Sequence, residues 1–265
     1  MQKPVLAAQL YTIRDYTKTV DDFAASMKKI AEIGYTAVQV SAIGPISHED
    51  VWRIVQDNGL TICITHIPYD RLLNDLDDVI AQHKLWQTKH VAIGSMPAEF
   101  RSSGEEGYQR FVAFANETGE KLYDAGLTFS YHNHSFEFVK FGGRSGLEFI
   151  YEESDPRYLK AELDTYWVQH GGSDPAAWIK KLKDRMPVVH LKDMVMHDVD
   201  PNKIERGVEQ IMAEVGEGNL NWPSILQACE EAHVEWYAVE QDICQRDPFE
   251  SLTISYNNLK VMGLS

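Results

Sequence analysis

A chain of 265 residues that is 44% hydrophobic and 25% charged can bury a substantial core and is too apolar for extended disorder. Its formal net charge of −15, with no Lys/Arg run, repels phosphate backbones and anionic membranes and argues against a nucleic-acid or membrane partner. Cys63, Cys229 and Cys244 are too few and too widely spaced for a disulfide framework or a CxxC pair.

No stretch approaches ~18 consecutive apolar residues, and the start, Met1-Gln2-Lys3-Pro4-Val5, lacks the basic, apolar and small-residue succession of a signal peptide. A soluble, cytoplasmic protein is the expectation.

In chain order, an apolar run over 5–13 reads as a strand carrying Gln9 and Tyr11, and a helical period over 21–33 ends at Gly34. Glycine there suits the left-handed backbone of a helix C-cap. The second strand–helix pair is 37–41 and 48–58, ending at Gly59. The third is 61–67, which closes on Thr65-His66-Ile67-Pro68, followed by 76–87. The fourth is 90–94 and 105–125, ending at Gly126.

The fifth strand, 127–134, runs into Tyr131-His132-Asn133-His134-Ser135-Phe136-Glu137-Phe138, and a helix follows over 146–153. The sixth, 159–166, bears Glu162 and Asp164 and precedes a helix over 175–184, with Asp174 as N-cap and Pro175 at its first position. The seventh, 188–194, bears His190 and Lys192. An irregular stretch, 195–220, follows it with His197, Asp198, Asp200, Lys203 and Glu205, and is expected to be a long loop at the rim, before a helix over 223–232. The eighth strand, 236–242, bears Glu240 and Asp242, and a last helix over 248–262 begins at Asp247-Pro248.

Strand and helix therefore alternate eight times, which closes most economically into a single-domain (β/α)8 barrel, an α/β fold occupying 1–265. A doubly wound open sheet is the alternative, but no GxGxxG or GxxxxGK loop is present to support it.

Barrel geometry brings the C-terminal ends of strands to one mouth, and residues two apart share a strand face. His132 with His134, Glu162 with Asp164, and His190 with Lys192 are such pairs. Imidazoles and carboxylates without thiolates suit one hard or borderline divalent ion, Mn²⁺ or Zn²⁺ first, with Co²⁺ or Mg²⁺ also allowed. Glu137, Asp164, His190 and Glu240 are the expected ligands. Singly, each has an ordinary structural role open to it, as an ion-pair partner or a hydrogen-bonded core residue.

These segments, together with Leu163-Asp164-Thr165-Tyr166-Trp167, His190-Leu191-Lys192-Asp193 and Val215-Gly216-Glu217-Gly218, resemble the sugar phosphate isomerase/epimerase family with the xylose isomerase-like barrel. The resemblance runs from Gln9-Leu10-Tyr11-Thr12 to Val239-Glu240-Gln241-Asp242. It implies a divalent metal held from strands five to eight, with Asp164, His190 and Glu240 at the positions of the last three. At strand five the sequence departs: many relatives place a glutamate near where Tyr131 and His132 stand. Glu137 comes later, so His132 is the alternative ligand.

Such a site supports proton abstraction beside a carbonyl. Glu137 and Glu240 are expected to serve as ligand and as acid or base, with His134 as another base and Lys192 stabilising oxyanion charge. Epimerisation, aldose/ketose isomerisation and β-elimination, as in a dehydratase acting on a keto-sugar or inosose, all remain open. Gln9, Tyr11, His66, His132 and Trp167 are candidate contacts to a carbohydrate.

No phosphate nest or arginine fork is announced, and Gly142-Gly143-Arg144 reads as a surface turn, so an unphosphorylated sugar, keto-sugar or polyol is expected. An endonuclease is disfavoured by the acidic balance, and a metal-free binding barrel is the non-catalytic alternative. The resemblance also makes a homo-oligomer an expectation, with no interface identified.

Overall fold

The eight apolar runs pair in parallel, each with its neighbours in sequence, and the first closes on the last. A computed structural model of the chain describes residues 4–200, 202–203 and 207–264. Its barrel strands are β1 (Val5–Gln9), β2 (Ala37–Val40), β3 (Thr61–His66), β4 (His90–Ile93), β5 (Thr128–His132), β6 (Lys160–Asp164), β7 (Val188–Leu191) and β8 (Trp236–Val239). Glu205 and Met1-Gln2-Lys3 lie outside the described residues. Among those residues no helix is long and apolar enough to cross a membrane.

Helix boundaries follow the sequence punctuation. Gly34 sits at φ +119° and donates its N–H to the carbonyl of Ala31 at the end of Val20–Ile33. Asp174 and Asp247 cap Pro175–Lys181 and Pro248–Val261 by accepting from first-turn amides. The inner helix faces bury side chains such as Phe23, Met27, Ile30, Phe111 and Leu122 against the strands, each such burial contributing roughly 1.5–3 kcal/mol.

Inside the barrel, Ala7, Ala37, Ile64, Ala92, Val188 and Ala238 form a separate, fully buried apolar layer. The side-chain period of two places the next inward residue of five of these strands above it: Gln9, Gln39, His66, His190 and Glu240. A small-residue floor thus carries a polar storey at the C-terminal mouth, the end where barrel enzymes work.

Three segments differ from their expected form. The first strand stops at Gln9, because the Gln9 side chain accepts from the Tyr11 amide at 2.6 Å and turns the chain into a short 3₁₀ helix, Leu10–Tyr16. The sixth stops at Asp164, which caps the helix Thr165–His170. The stretch after β7 is largely an antiparallel hairpin, Asp193–Asp198 with Val208–Ala213, rather than a loop. Its anchor is Asp193, whose buried carboxylate accepts from the amides of Met194, Gly216, Gly218 and Leu220 and from the Trp222 indole. A Cβ on Gly218 would lie 2.2 Å from Asp193 Oδ1, so the glycine lets the backbone close around the acid. Gly142 and Gly143, at φ +57° and +93°, make the tight turn between Lys140–Phe141 and Arg144–Ser145, as expected of that tripeptide.

Candidate metal centre

Four inward side chains from consecutive strands meet above the apolar floor: His132 of β5, Asp164 of β6, His190 of β7 and Glu240 just beyond β8. One ligand atom from each lies within 4.8 Å of all the others, and all four residues are buried.

Local structure aims each atom. Asp164 accepts at Oδ1 from the Trp167 amide, 2.9 Å away, while its own amide donates to Asn133. Helix capping thus occupies one oxygen and leaves Oδ2 for the cluster. Glu240 is held at Oε1 by the Gln9 amide at 2.7 Å, leaving Oε2 near His190 Nδ1 (2.9 Å) and Lys192 Nζ (3.1 Å). His132 donates from Nδ1 to the Gly94 carbonyl at 3.0 Å, which turns Nε2 towards Asp164 Oδ2, 3.4 Å away. A ring hydrogen-bonded to a carbonyl on one side and offering a lone pair on the other is the form in which histidine binds metals.

Charge argues the same way. Burial alone would discharge His190, yet Glu162 and Glu240 raise its pKa to about 10. Burial likewise opposes the Lys192 ammonium, but Asp164, Glu240 and Asp242 hold it above the usual lysine range. Burial, then repulsion from Glu240, pushes Asp242 up to about 6. Glu162, Asp164, Glu240 and Asp242 thus face one ammonium and one imidazolium at neutral pH, leaving the cluster with excess negative charge. Two imidazoles, two carboxylates and surplus negative charge fit a divalent cation.

A family profile described as the xylose isomerase-like TIM barrel matches residues 27–243. The chain belongs to that family. Over 155 residues it is 25% identical to the inosose dehydratase of Geobacillus thermodenitrificans, covering 55% of this chain and 51% of that protein. The chain therefore spans about half the length of the curated relatives it matches.

In fold, this xylose isomerase-like barrel is similar to a sugar phosphate isomerase/epimerase from Parabacteroides distasonis, with a TM-score of 0.79 at 22% identity over 100% of this chain and 96% of that one. It is also similar to a family member from Mycobacterium smegmatis solved in complex with magnesium, with a TM-score of 0.71 at 12% identity over 98% and 95% of the two chains.

Of the ligands expected from sequence, Asp164, His190 and Glu240 come together and Glu137 stands apart. It lies in the short 3₁₀ turn Phe136–Phe138, fully buried, accepting from the Tyr131 hydroxyl at 2.5 Å and the His134 amide at 2.9 Å. Burial pushes its carboxyl up to about 7, against the pull of those two donors. The chain has left β5 by residue 137, so strand alternation no longer governs where its side chain points, and His132 occupies the strand-five place.

Above the cluster opens a cavity of about 440 Å³ lined by Tyr11, His66, His134, Trp167, Lys192 and Asp242, among others. His134 is kept neutral by burial, which takes its pKa down to about 3. Its Nδ1 and the indole Nε1 of Trp167 are buried without a hydrogen-bond partner among the described residues. Gln9, expected as a carbohydrate contact, touches the cavity but engages Glu240 and Tyr11 through its amide. A larger cavity, about 640 Å³, lies at the opposite end beside the starts of β1 and β8, where barrels are built for stability.

Ser41 and Asn133 carry no sign of a site role in the sequence, which places Glu162 at the mouth only as sharing a strand face with Asp164. Gln39 had a signal, since an amide inside Ala37-Val38-Gln39-Val40 must find a buried partner, and it accepts from His190 Nε2 at 2.8 Å.

Proposed function

We propose that this chain is a divalent-metal-dependent isomerase or epimerase that removes a proton beside the carbonyl of an unphosphorylated sugar, keto-sugar or polyol-derived ketone. The observation that carries this reading is the convergence of His132, Asp164, His190 and Glu240 under the mouth cavity.

These four residues would hold the ion, Mn²⁺ or Zn²⁺ by donor type, with Mg²⁺ and Co²⁺ also accommodated. When bound, the ion would supply Lewis-acid stabilisation of the enediolate charge. The protein's own groups do the rest. Lys192, fixed 2.7 Å from Asp242, sets a positive charge beside the developing oxyanion. Asp242, with a pKa near 6, is suited to exchanging a proton near neutral pH, and Glu240 and His134 flank the same space. The Trp167 indole N–H and His134 Nδ1, which have no partner among the described residues, would pair with substrate oxygens and hydroxyls.

Dehydration is the second reading. It is favoured by the identity with an inosose dehydratase and by Asp242, which could protonate a departing hydroxyl. The acidic balance speaks against a nucleic-acid substrate.

The test is turnover in D₂O with Mn²⁺ and a panel of keto-sugars and inososes. Deuterium at the carbon beside the carbonyl, in an epimer or isomer, supports the first reading. Loss of water after the same C–H cleavage supports the second. Conversion without C–H cleavage sinks both.

A further inference from the structure

Glu162 is fully buried, and no step above uses it. Two residues before Asp164 on β6, it points into the barrel on the same face. Its Oε1 is 2.9 Å from Nε2 of His190 and its Oε2 is 2.8 Å from Nε2 of His66. An ionised carboxylate only accepts, so both Nε2 atoms carry their protons.

The opposite nitrogens then have defined jobs. Nδ1 of His190 faces Glu240 Oε2 at 2.9 Å and Asp164 Oδ2 at 3.9 Å. Nδ1 of His66 lies 3.3 Å from the hydroxyl of Ser41, and both residues line the cavity. The two rings stack with centroids 5.5 Å apart, and Gly94, where a Cβ would come within 2.7 Å of His66 Nδ1, leaves the space that the His66 ring occupies.

We propose that Glu162 is a positioning residue that sets two imidazoles at once: it turns Nδ1 of His190 to the ion and leaves Nδ1 of His66 unprotonated, accepting from the Ser41 hydroxyl at the cavity wall. This inference rests on the metal reading above and deepens it. Without the carboxylate, only the Gln39 amide oxygen, 2.8 Å away, still holds a proton on Nε2 of His190, and the neutral ring can instead carry it on Nδ1, the nitrogen that the ion needs.

Two measurements test it. ¹⁵N-histidine spectra of the metal-free protein should show His66 protonated at Nε2 and bare at Nδ1. In Glu162→Gln, whose amide oxygen satisfies one ring while its NH₂ faces the other, one ring should move its proton to Nδ1. By Mn²⁺ titration, Glu162→Gln should weaken binding by about 10- to 100-fold, and His66→Asn should leave it within about threefold.

A spectrum of the unmutated protein with His66 protonated at Nδ1 overturns the inference, and this arm stands even if the variant does not fold. So does a folded Glu162→Gln protein with unchanged spectra and affinity. So does loss of a second bound equivalent of Mn²⁺ in that variant, which would make Glu162 a ligand. An unmutated chain that binds no Mn²⁺ would instead overturn the metal reading, and the His66 spectrum would still decide what Glu162 does.

Discussion

Nε2 of His132 faces Oδ2 of Asp164 across 3.4 Å while Nδ1 of the same ring donates to the Gly94 carbonyl. Burial, reinforced by the neighbouring charge on His190, disfavours a second proton on this ring. A lone pair therefore meets a carboxylate in a buried site, a repulsive pairing that a shared cation makes attractive. His132→Ala is expected to weaken Mn²⁺ binding by at least about 100-fold, more than loss of an outer partner would, while Glu137→Gln leaves it within about threefold. Calorimetric titration of the two variants separates them, and the opposite ranking would return Glu137 to the metal.

Glu137 has its own signature in stability. Its carboxyl titrates at about 7 in the folded chain against an ordinary 4.5. Between those values the folded state holds a proton that the unfolded state has released, so its contribution is complete below the lower value and is lost as pH rises towards the upper. The loss amounts to roughly 3 kcal/mol. Glu137→Gln cannot titrate, so its melting temperature should fall less between about pH 5 and about pH 8 than that of the unmutated protein. Parallel pH profiles would contradict this.

Asp193 gathers the hairpin and the Gly216–Leu220 backbone around one acid, so removing it strands several buried donors. Asp193→Ala is expected to cost roughly 3–5 kcal/mol in urea unfolding, and Trp222→Phe, which removes one of those donors, roughly 1–2 kcal/mol. A cost for Asp193→Ala no larger than a surface substitution would mean that the cradle does not hold the hairpin.

Trp167 offers a buried donor that meets no acceptor among the described residues. Trp167→Phe should therefore change stability by no more than about 1 kcal/mol while raising KM by about tenfold, the worth of one lost hydrogen bond. A large drop in melting temperature with KM unchanged would make the indole a packing residue instead.

The barrel was legible because each strand and helix carries a local signal: apolar runs of the right length, Gly34 and Gly126 past helix ends, and Asp-Pro pairs at helix starts. Asp164, His190 and Glu240 were legible because strand alternation and the barrel mouth together fix where such residues point. Glu137 was not, since a carboxylate beyond a strand end takes its direction from the turn that holds it, here set by the Tyr131 hydroxyl and the His134 amide. The hairpin after β7 was hidden for a related reason. Its pairing depends on Asp193 contacts made more than 20 residues along the chain, a distance at which local period carries no information. The roles of Gln39 and Glu162 exist only across the barrel.

The most direct test of the central claim is Mn²⁺ stoichiometry and affinity for the unmutated protein beside Asp164→Ala and Glu240→Ala, with circular dichroism to establish that each is folded. One tightly held ion per chain is expected in the unmutated protein, with its loss in both variants. Equal, negligible binding in all three, with Mn²⁺ and Zn²⁺ freely supplied, would contradict it and leave a metal-free binding barrel.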